Sequence, residues 1–352
     1  VEIQPYLKLM VERNASDLFF TVGAPVKIKM EGKISSVGKT LLDSEMTQAA
    51  AYGIMNSYQI DYFEENLECD FAISLPDRSA RFRVNVFRQR GDVGMVLRLI
   101  PTIIPTIDEL GLPDVLKDLI QNRRGLILMV GATGSGKSTT LAAMIDHRND
   151  TISGHILTIE DPVEFSHPNK KAIINQREVG IDTLSYPNAL RSSLREAPDV
   201  ILIGEIRDRE TMETALELSN TGHLALSTLH ANNAHQAMER VINMYPDTVH
   251  NQLFMDMALN LRAVLSQRLV RTIDGKRCAA MEVMINTPHI SELILQGEID
   301  EIREAMESSG QYGMQTFDMA LHSLYKEGVI ELEEALNNAD SRTNLEAKIN
   351  FG

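Results

Sequence analysis

The stretch GLILMVGATGSGKSTTLAAMI, Gly125 to Ile145, constrains the fold more than any other part of this chain. Gly131, Gly134, Gly136, Lys137 and Ser138 fit the pattern G-x-x-x-x-G-K-[ST], with Ala132, Thr133, Ser135 and Thr139 completing the loop. The chemistry needs these residue types. Glycines let backbone N–H groups curl around phosphates, Lys137 reaches the β and γ phosphates, and the Ser138 hydroxyl ligates magnesium. An apolar run, Leu126 to Val130, precedes the loop, and a helical pattern from Lys137 through Ala142 and Met144 follows it. That order aims a helix N-terminus at the phosphates. ATP with Mg2+ is the expected ligand pair, and an α/β sheet is the expected frame.

Further strands of the same kind follow. Gly125 to Val130, His155 to Ile159, Val200 to Ile203 and Leu224 to Thr228 are short runs rich in Ile, Leu and Val, as strands buried on both faces of a parallel sheet are. Hydrolysis also needs a water-positioning carboxylate, a magnesium ligand and a group that stabilises charge on the transferring phosphoryl group. In DVILIGEIRD an apolar strand runs into Gly204 and Glu205. A carboxylate at the C-terminal end of a parallel strand faces the ligand crevice of an open α/β sheet. The common arrangement has an aspartate where Gly204 stands, which leaves Glu205 as the acidic group near magnesium, through water. In HILTIEDPVEF, Glu160, Asp161 and Glu164 cluster around Pro162, which fixes a turn. Glu164 is the first candidate for polarising the attacking water and Glu160 the second, with a purely structural turn as the alternative. In TGHLALSTLH, His223 and His230 on one strand would face opposite sides, which argues against a metal pair. Two roles stay open for His230: contact with the γ phosphate, or an ordinary satisfied histidine.

The rest of the chain divides by texture. Residues 1–100 read as a small α+β unit. Val26, Ile28 and Met30 alternate before a Glu31, Gly32 turn, and in a second pair Phe82, Val84 and Val86 alternate with Arg81, Arg83 and Asn85, with Arg88 a further polar residue. PTIIPTIDELGLP, residues 101–113, carries three prolines and reads as a linker. Residues 114–287 form the α/β part, and 288–352 turn helical, with Ile290, Leu293, Ile294, Ile299, Ile302, Met306, Phe317, Leu321 and Leu324 at three- or four-residue spacing. A helical bundle is expected there. Cys69 and Cys278 match no metal or redox spacing, which fits a reducing cytosol. No apolar run approaches the length that crosses a bilayer, and VEIQPYLKLM lacks a basic-then-apolar signal. No transmembrane segment and a cytoplasmic location are therefore expected. A net charge of −15 weighs against non-specific nucleic-acid binding, since that needs Lys and Arg to neutralise phosphates.

The motifs GATGSGKST, EDPVEF, ILIGEIRD and TGHLALSTLH, in that order and spacing, resemble those of the secretion ATPases of type II secretion and type IV pili. The short N-terminal part, ALRSSLREAPD and YGMQTFDMALHSLYKEG look like the retraction branch of PilT and PilU proteins. The resemblance covers nearly the whole chain. It implies an N-terminal PAS-like α+β domain followed by a RecA-like P-loop ATPase domain with C-terminal helices, assembled as a homohexamer under the inner-membrane platform protein of a pilus machine. It also implies that Arg83 in FRVNVF and Arg98 in VLRLI approach the nucleotide phosphates when the domains close, as arginine fingers do. Where the PilT type has a helix close to AIRNLIRE, this chain has HISELILQ, with Ser291 and Leu295 replacing the arginines. STLHANNA and REAPD are also more similar to the PilU subgroup, which implies an accessory retraction ATPase working with a PilT-type motor.

Three other readings compete. An assembly motor of the same superfamily carries a longer N-terminal region and a cysteine-rich zinc motif, and neither is present in these 352 residues. A nucleotide-gated scaffold would hydrolyse slowly, and Glu164, Glu205, Arg83 and Arg98 speak against a dead site. A DNA pump is disfavoured by the acidic balance.

Overall fold

A computed structural model describes residues 2–30, 32–310 and 313–351. It resolves into two compact units, Val1–Ile103 with Val163–Ser166, and Ile104–Pro162 with His167–Gly352.

The first unit contains α1 (Gln4–Glu12), β1 (Asp17–Phe20), β2 (Lys27–Met30), β3 (Lys33–Ser36), α2 (Ser44–Tyr52), α3 (Ser57–Asn66), β4 (Glu68–Ser74), β5 (Arg81–Gln89) and β6 (Asp92–Ile100). Its strands form an antiparallel sheet in the order β3-β2-β1-β6-β5-β4. The alternation seen in the sequence sets the buried face. Phe82, Val84 and Val86 on β5 are fully buried with Leu18, Phe20, Met95 and Leu97, while Arg81, Arg83 and Asn85 lie on the other face. The β5–β6 hairpin turns at Arg90 and Gly91, both at positive φ, which matches the right-handed twist of the paired strands. At the first hairpin Glu31 lies outside the described residues, and Gly32 has φ of +79°.

The second unit continues with α4 (Val115–Leu119), β7 (Gly125–Val130), α5 (Lys137–Thr151), β8 (Gly154–Glu160), β9 (Ala172–Glu178), α6 (Tyr186–Ser193), β10 (Val200–Ile203), α7 (Arg209–Asn220), β11 (Leu224–Leu229), α8 (Ala234–Ile242), α9 (His250–Asn260), β12 (Leu261–Arg271) and β13 (Arg277–Ile285). The sheet order is β13-β12-β7-β11-β10-β8-β9, parallel except for β13, which pairs antiparallel with β12. Side chains alternate across β7: Leu126, Leu128 and Val130 enter one core with Ile201, Ile203 and Met212, and Ile127 and Met129 enter another with Leu141, Met144 and Leu202. Both faces are therefore covered, as continuous apolar strands require. Within the stretch read as a linker, Ile107 and Leu112 are already buried in this unit's core.

The C-terminal helices are α10 (Pro288–Gln296), α11 (Ile302–Ser308), α12 (Phe317–Lys326), α13 (Leu332–Asn338) and α14 (Arg342–Phe351). They do not make one bundle. Ile290, Leu293, Ile294, Ile302 and Met306 extend the core on one sheet face, whereas Phe317, Leu321, Leu336 and Leu345 form a separate cluster over Val270 and Ala280 of β12 and β13. The edge hairpin β12–β13 extends past the parallel strands and gives α12–α14 their own surface to cover.

Candidate active site

The phosphate loop begins where β7 ends. Gly131 has φ of +154°, and a Cβ there would lie 2.4 Å from Ser135 Oγ and 2.7 Å from the Gln267 carbonyl oxygen. Gly136 has φ of +90°, and a Cβ there would meet Gln267 Nε2 at 2.6 Å. Both positions exclude a side chain. Gly136 precedes α5 without a side-chain cap, so no side chain of its own closes the helix start, the end of a helix that suits an anion. Ala132, Thr133 and Gly134 form the exposed rim, Ser135 is buried, and Lys137, Ser138 and Thr139 are half-buried on the first turn. Lys137 Nζ donates to the carbonyls of Gly131 at 2.7 Å and Ala132 at 2.9 Å, which folds its ammonium into the loop. The loop thus curls around the Lys137 ammonium, with Ser138 beside it on the first turn of α5.

Gln267 of β12 supports this loop from behind. Its Oε1 accepts from Thr140 Oγ at 2.6 Å, and its Nε2 donates to the Ser135 carbonyl at 2.9 Å. The side chain is buried, so both bonds are made away from water. Sequence reading missed it; its one signal is a polar residue inside the apolar run AVLSQRLV.

The segments that follow β10 and β11 meet through Glu205 and His230. A Cβ on Gly204 would lie 2.4 Å from the Tyr186 hydroxyl. The absence of a strand-end aspartate thus has a steric cause, because Tyr186 fills the space. Tyr186 is pushed up above its ordinary pKa by burial and by Asp161, with Glu160 and Glu205 adding and Arg207 opposing. Glu205 is 16 % exposed and lies between Arg207, at 2.8 Å, and His230 Nε2, at 3.2 Å. Arg207 is a second residue missed from sequence. His230 lines a cleft of about 440 Å³ with Gly131, Ala132, Asn232, Gln236 and Arg240, so the structure brings together the phosphate loop, His230 and Glu205. His223 and His230 flank β11 rather than lie on it, and His223 Nδ1 is 3.1 Å from the Leu218 carbonyl.

Glu160 adjoins this site, since β8 pairs with β10 and a Cβ on Gly204 would lie 3.3 Å from the Glu160 Cα, whereas Glu164, Arg83 and Arg98 belong to the first unit. Glu160 ends β8, where Thr158 Oγ donates to it at 2.6 Å and Gln176 Nε2 at 3.3 Å. Glu164 is exposed in Val163–Ser166, the segment that packs with the first unit. In that unit Arg83 and Arg98 are cross-strand partners on β5 and β6. Arg98 Nε donates to Asp17 at 2.8 Å, an ion pair to a carboxylate that is almost fully buried. Arg83 is half-buried beside it.

The chain matches the Type II/IV secretion system protein family over residues 2–338. It is 52% identical over 353 aligned residues to the Type IV pilus ATPase PilU of Pseudomonas aeruginosa, spanning 100% of this chain and 92% of that protein. It is 44% identical to the Type IV pilus retractation ATPase PilT of the same organism, over 96% of this chain and 98% of that one. The crystal structure of the pilus retraction motor PilT with bound ADP superposes with a TM-score of 0.91 at 41% identity, covering 98% of this chain and 99% of the other.

Proposed function

Since the chain belongs to the Type II/IV secretion ATPase family, in its PilT/PilU retraction branch and most like PilU, we propose that it is an ATP-hydrolysing motor that powers or assists type IV pilus retraction. The observation that carries this reading is the loop whose Gly131 and Gly136 exclude side chains and whose Gly131 and Ala132 line the same cleft as His230, which pairs with Glu205. That combination can bind the phosphates of ATP and respond to the outermost one.

The roles follow from the chemistry. The loop Gly131 to Thr139 binds the phosphates by backbone N–H groups, with Lys137 turning from its loop carbonyls to the β and γ oxygens. Ser138 Oγ would hold Mg2+ directly and Glu205 would hold it through water, and the ion would supply charge neutralisation at the phosphates. Glu164 polarises the attacking water, with Glu160 as the second candidate. His230 senses the γ phosphate against Glu205. Arg83 and Arg98 stabilise the transferring phosphoryl group when brought to it. The working assembly is a homohexamer at the cytoplasmic face of the inner membrane, on the pilus platform protein and beside a PilT-type motor. Among the described residues no helix is long and apolar enough to cross a membrane.

The test is ATP turnover with magnesium, beside Glu205→Gln, at concentrations spanning ring assembly. Turnover that rises with assembly and disappears in the variant supports the motor. ATP binding without turnover in the parent protein, alone and with a PilT-type partner, overturns it in favour of a scaffold.

A further inference from the structure

The segment after His230 is anchored by residues that lie outside the nucleotide motifs in sequence. The Asn232 carbonyl accepts from Arg268 of β12 at 3.2 Å. The Asn233 side-chain amide donates to Asp340 at 3.2 Å. The N–H of Ala234, which opens α8, donates to Glu282 of β13 at 2.6 Å. Three consecutive residues are thus fixed by two strands and by the connection between α13 and α14.

Those anchors are joined to one another. Arg268 and Asp340 form an ion pair, Arg268 also donates to the Asn338 carbonyl, and its guanidinium lies 3.8 Å from the centroid of the Phe317 ring. Asp340 lies between α13 and α14, and its own N–H donates to Asp318 of α12 at 2.8 Å. Asp318 in turn pairs with Arg303 of α11 at 2.8 Å. A polar path therefore runs from two residues beyond His230, through Arg268 and Asp340, into the C-terminal helices. Successive side chains of β12 alternate in direction, so Gln267 reaches the phosphate loop while Arg268 reaches the histidine segment. A segment bonded at three points to one packed body moves with it.

We propose that Asp340 is a positioning residue for His230: with Arg268 it fixes Asn232 and Asn233, and through them sets the approach of His230 to Glu205 on which turnover depends. The inference rests on the roles given above to His230 and Glu205. It makes the C-terminal helices part of the hydrolytic apparatus, able to pass a change at the γ phosphate outward or to slow turnover when they shift.

A double-mutant cycle in the full chain tests it. Asp340→Ala, His230→Ala and the double variant are compared for kcat, KM for ATP with magnesium, affinity for a fluorescent ADP, and Tm, with Asp340→Asn as a variant that keeps the side-chain volume. Asp340→Ala is expected to lower kcat about tenfold with ADP affinity unchanged, and to add less than about twofold in the His230→Ala background. A merely structural role would lower Tm and ADP affinity and repeat the kcat loss in both backgrounds, and that result overturns the proposal. So does parental kcat in both Asp340 variants. If His230→Ala itself turns over at the parental rate, the role of His230 falls as well. A slow His230→Ala with fully multiplicative losses overturns the coupling through Asp340 alone.

Discussion

Lys137 and Gln267 mark the two ends of what a sequence can disclose about a binding residue. Lys137 follows Gly136 directly, so its task is readable from spacing, and the structure adds that its ammonium is held on two loop carbonyls. Lys137→Ala is expected to abolish turnover and to weaken ADP binding by at least about tenfold, the loss of one charge-assisted phosphate contact. ADP affinity within twofold of the parent would show that the loop binds phosphate without its lysine. Gln267 stands 132 residues from the Ser135 carbonyl it supports, and no local pattern announces that partnership. Gln267→Leu keeps the volume but leaves the Thr140 hydroxyl and the Ser135 carbonyl unpaired, at about 1–3 kcal/mol for each buried group. The expected outcome is a lower Tm together with weaker ADP binding, with Thr140→Val giving the smaller part of both. A Tm loss with unaltered affinity would mean that Gln267 supports the fold without shaping the loop.

Elements were legible where their residues served packing alone. The strands β7 and β10 read clearly because every position is buried and apolar, and β11 because four of its six positions are. β12 did not, because Arg262, Ser266, Gln267 and Arg268 interrupt its apolar run, and all four hold loops or β13. Functional demands break local pattern in that way. β9 was missed for a different reason: it is an edge strand whose Ile173 is exposed and whose second half, Asn175 to Arg177, is polar. The β12–β13 hairpin carries a measurable consequence. Glu282 on β13 is pushed up to about 7, chiefly by burial and further by Asp340, against the opposing Ala234 N–H, Ser266 and Arg268. A raised carboxyl favours the neutral form in the fold, so its stabilisation is full below about pH 4.5. It is lost as pH rises toward 7, because in that window only the unfolded chain ionises, at a cost on the order of 3 kcal/mol. Glu282→Gln removes this term. The difference in Tm between variant and parent is expected to move in the variant's favour from pH 5 to pH 7.5, and a constant difference across that range would show that Glu282 ionises normally in the fold.

At the scale of the molecule, chain order made the two-part organisation and the retraction-branch resemblance readable, because motif order and spacing survive where individual contacts cannot be inferred. The helix that replaces the arginine-bearing one shows the limit. Ile290, Leu293 and Ile294 are buried as their spacing required, but that Ser291 ties α10 to the Ala258 carbonyl at 3.0 Å, and that Leu295 is left exposed, needed coordinates. The arginines of the first unit give the sharpest whole-molecule prediction, because they belong to one unit and the phosphate loop to the other. Arg98 is engaged by the nearly buried Asp17, with Lys29 at 4.0 Å as that carboxylate's other cation. Arg98→Ala therefore removes the proposed phosphate contact and leaves the buried Asp17 only its more distant cation, Lys29, so its effect on kcat arrives with a loss of stability. Arg83 is the cleaner probe. If it supplies charge to the transferring phosphoryl group, Arg83→Ala lowers kcat by about a hundredfold or more while Tm and ADP affinity hold. Asp17→Asn tests the same idea from the other side. It weakens the bond that retains Arg98, so turnover at limiting ATP is expected to rise or hold in the Asn variant and to fall in Arg98→Ala. Parental turnover in Arg83→Ala, combined with equal losses in Asp17→Asn and Arg98→Ala, would make both arginines scaffolding of the first sheet and leave the transition-state charge to groups of the second unit.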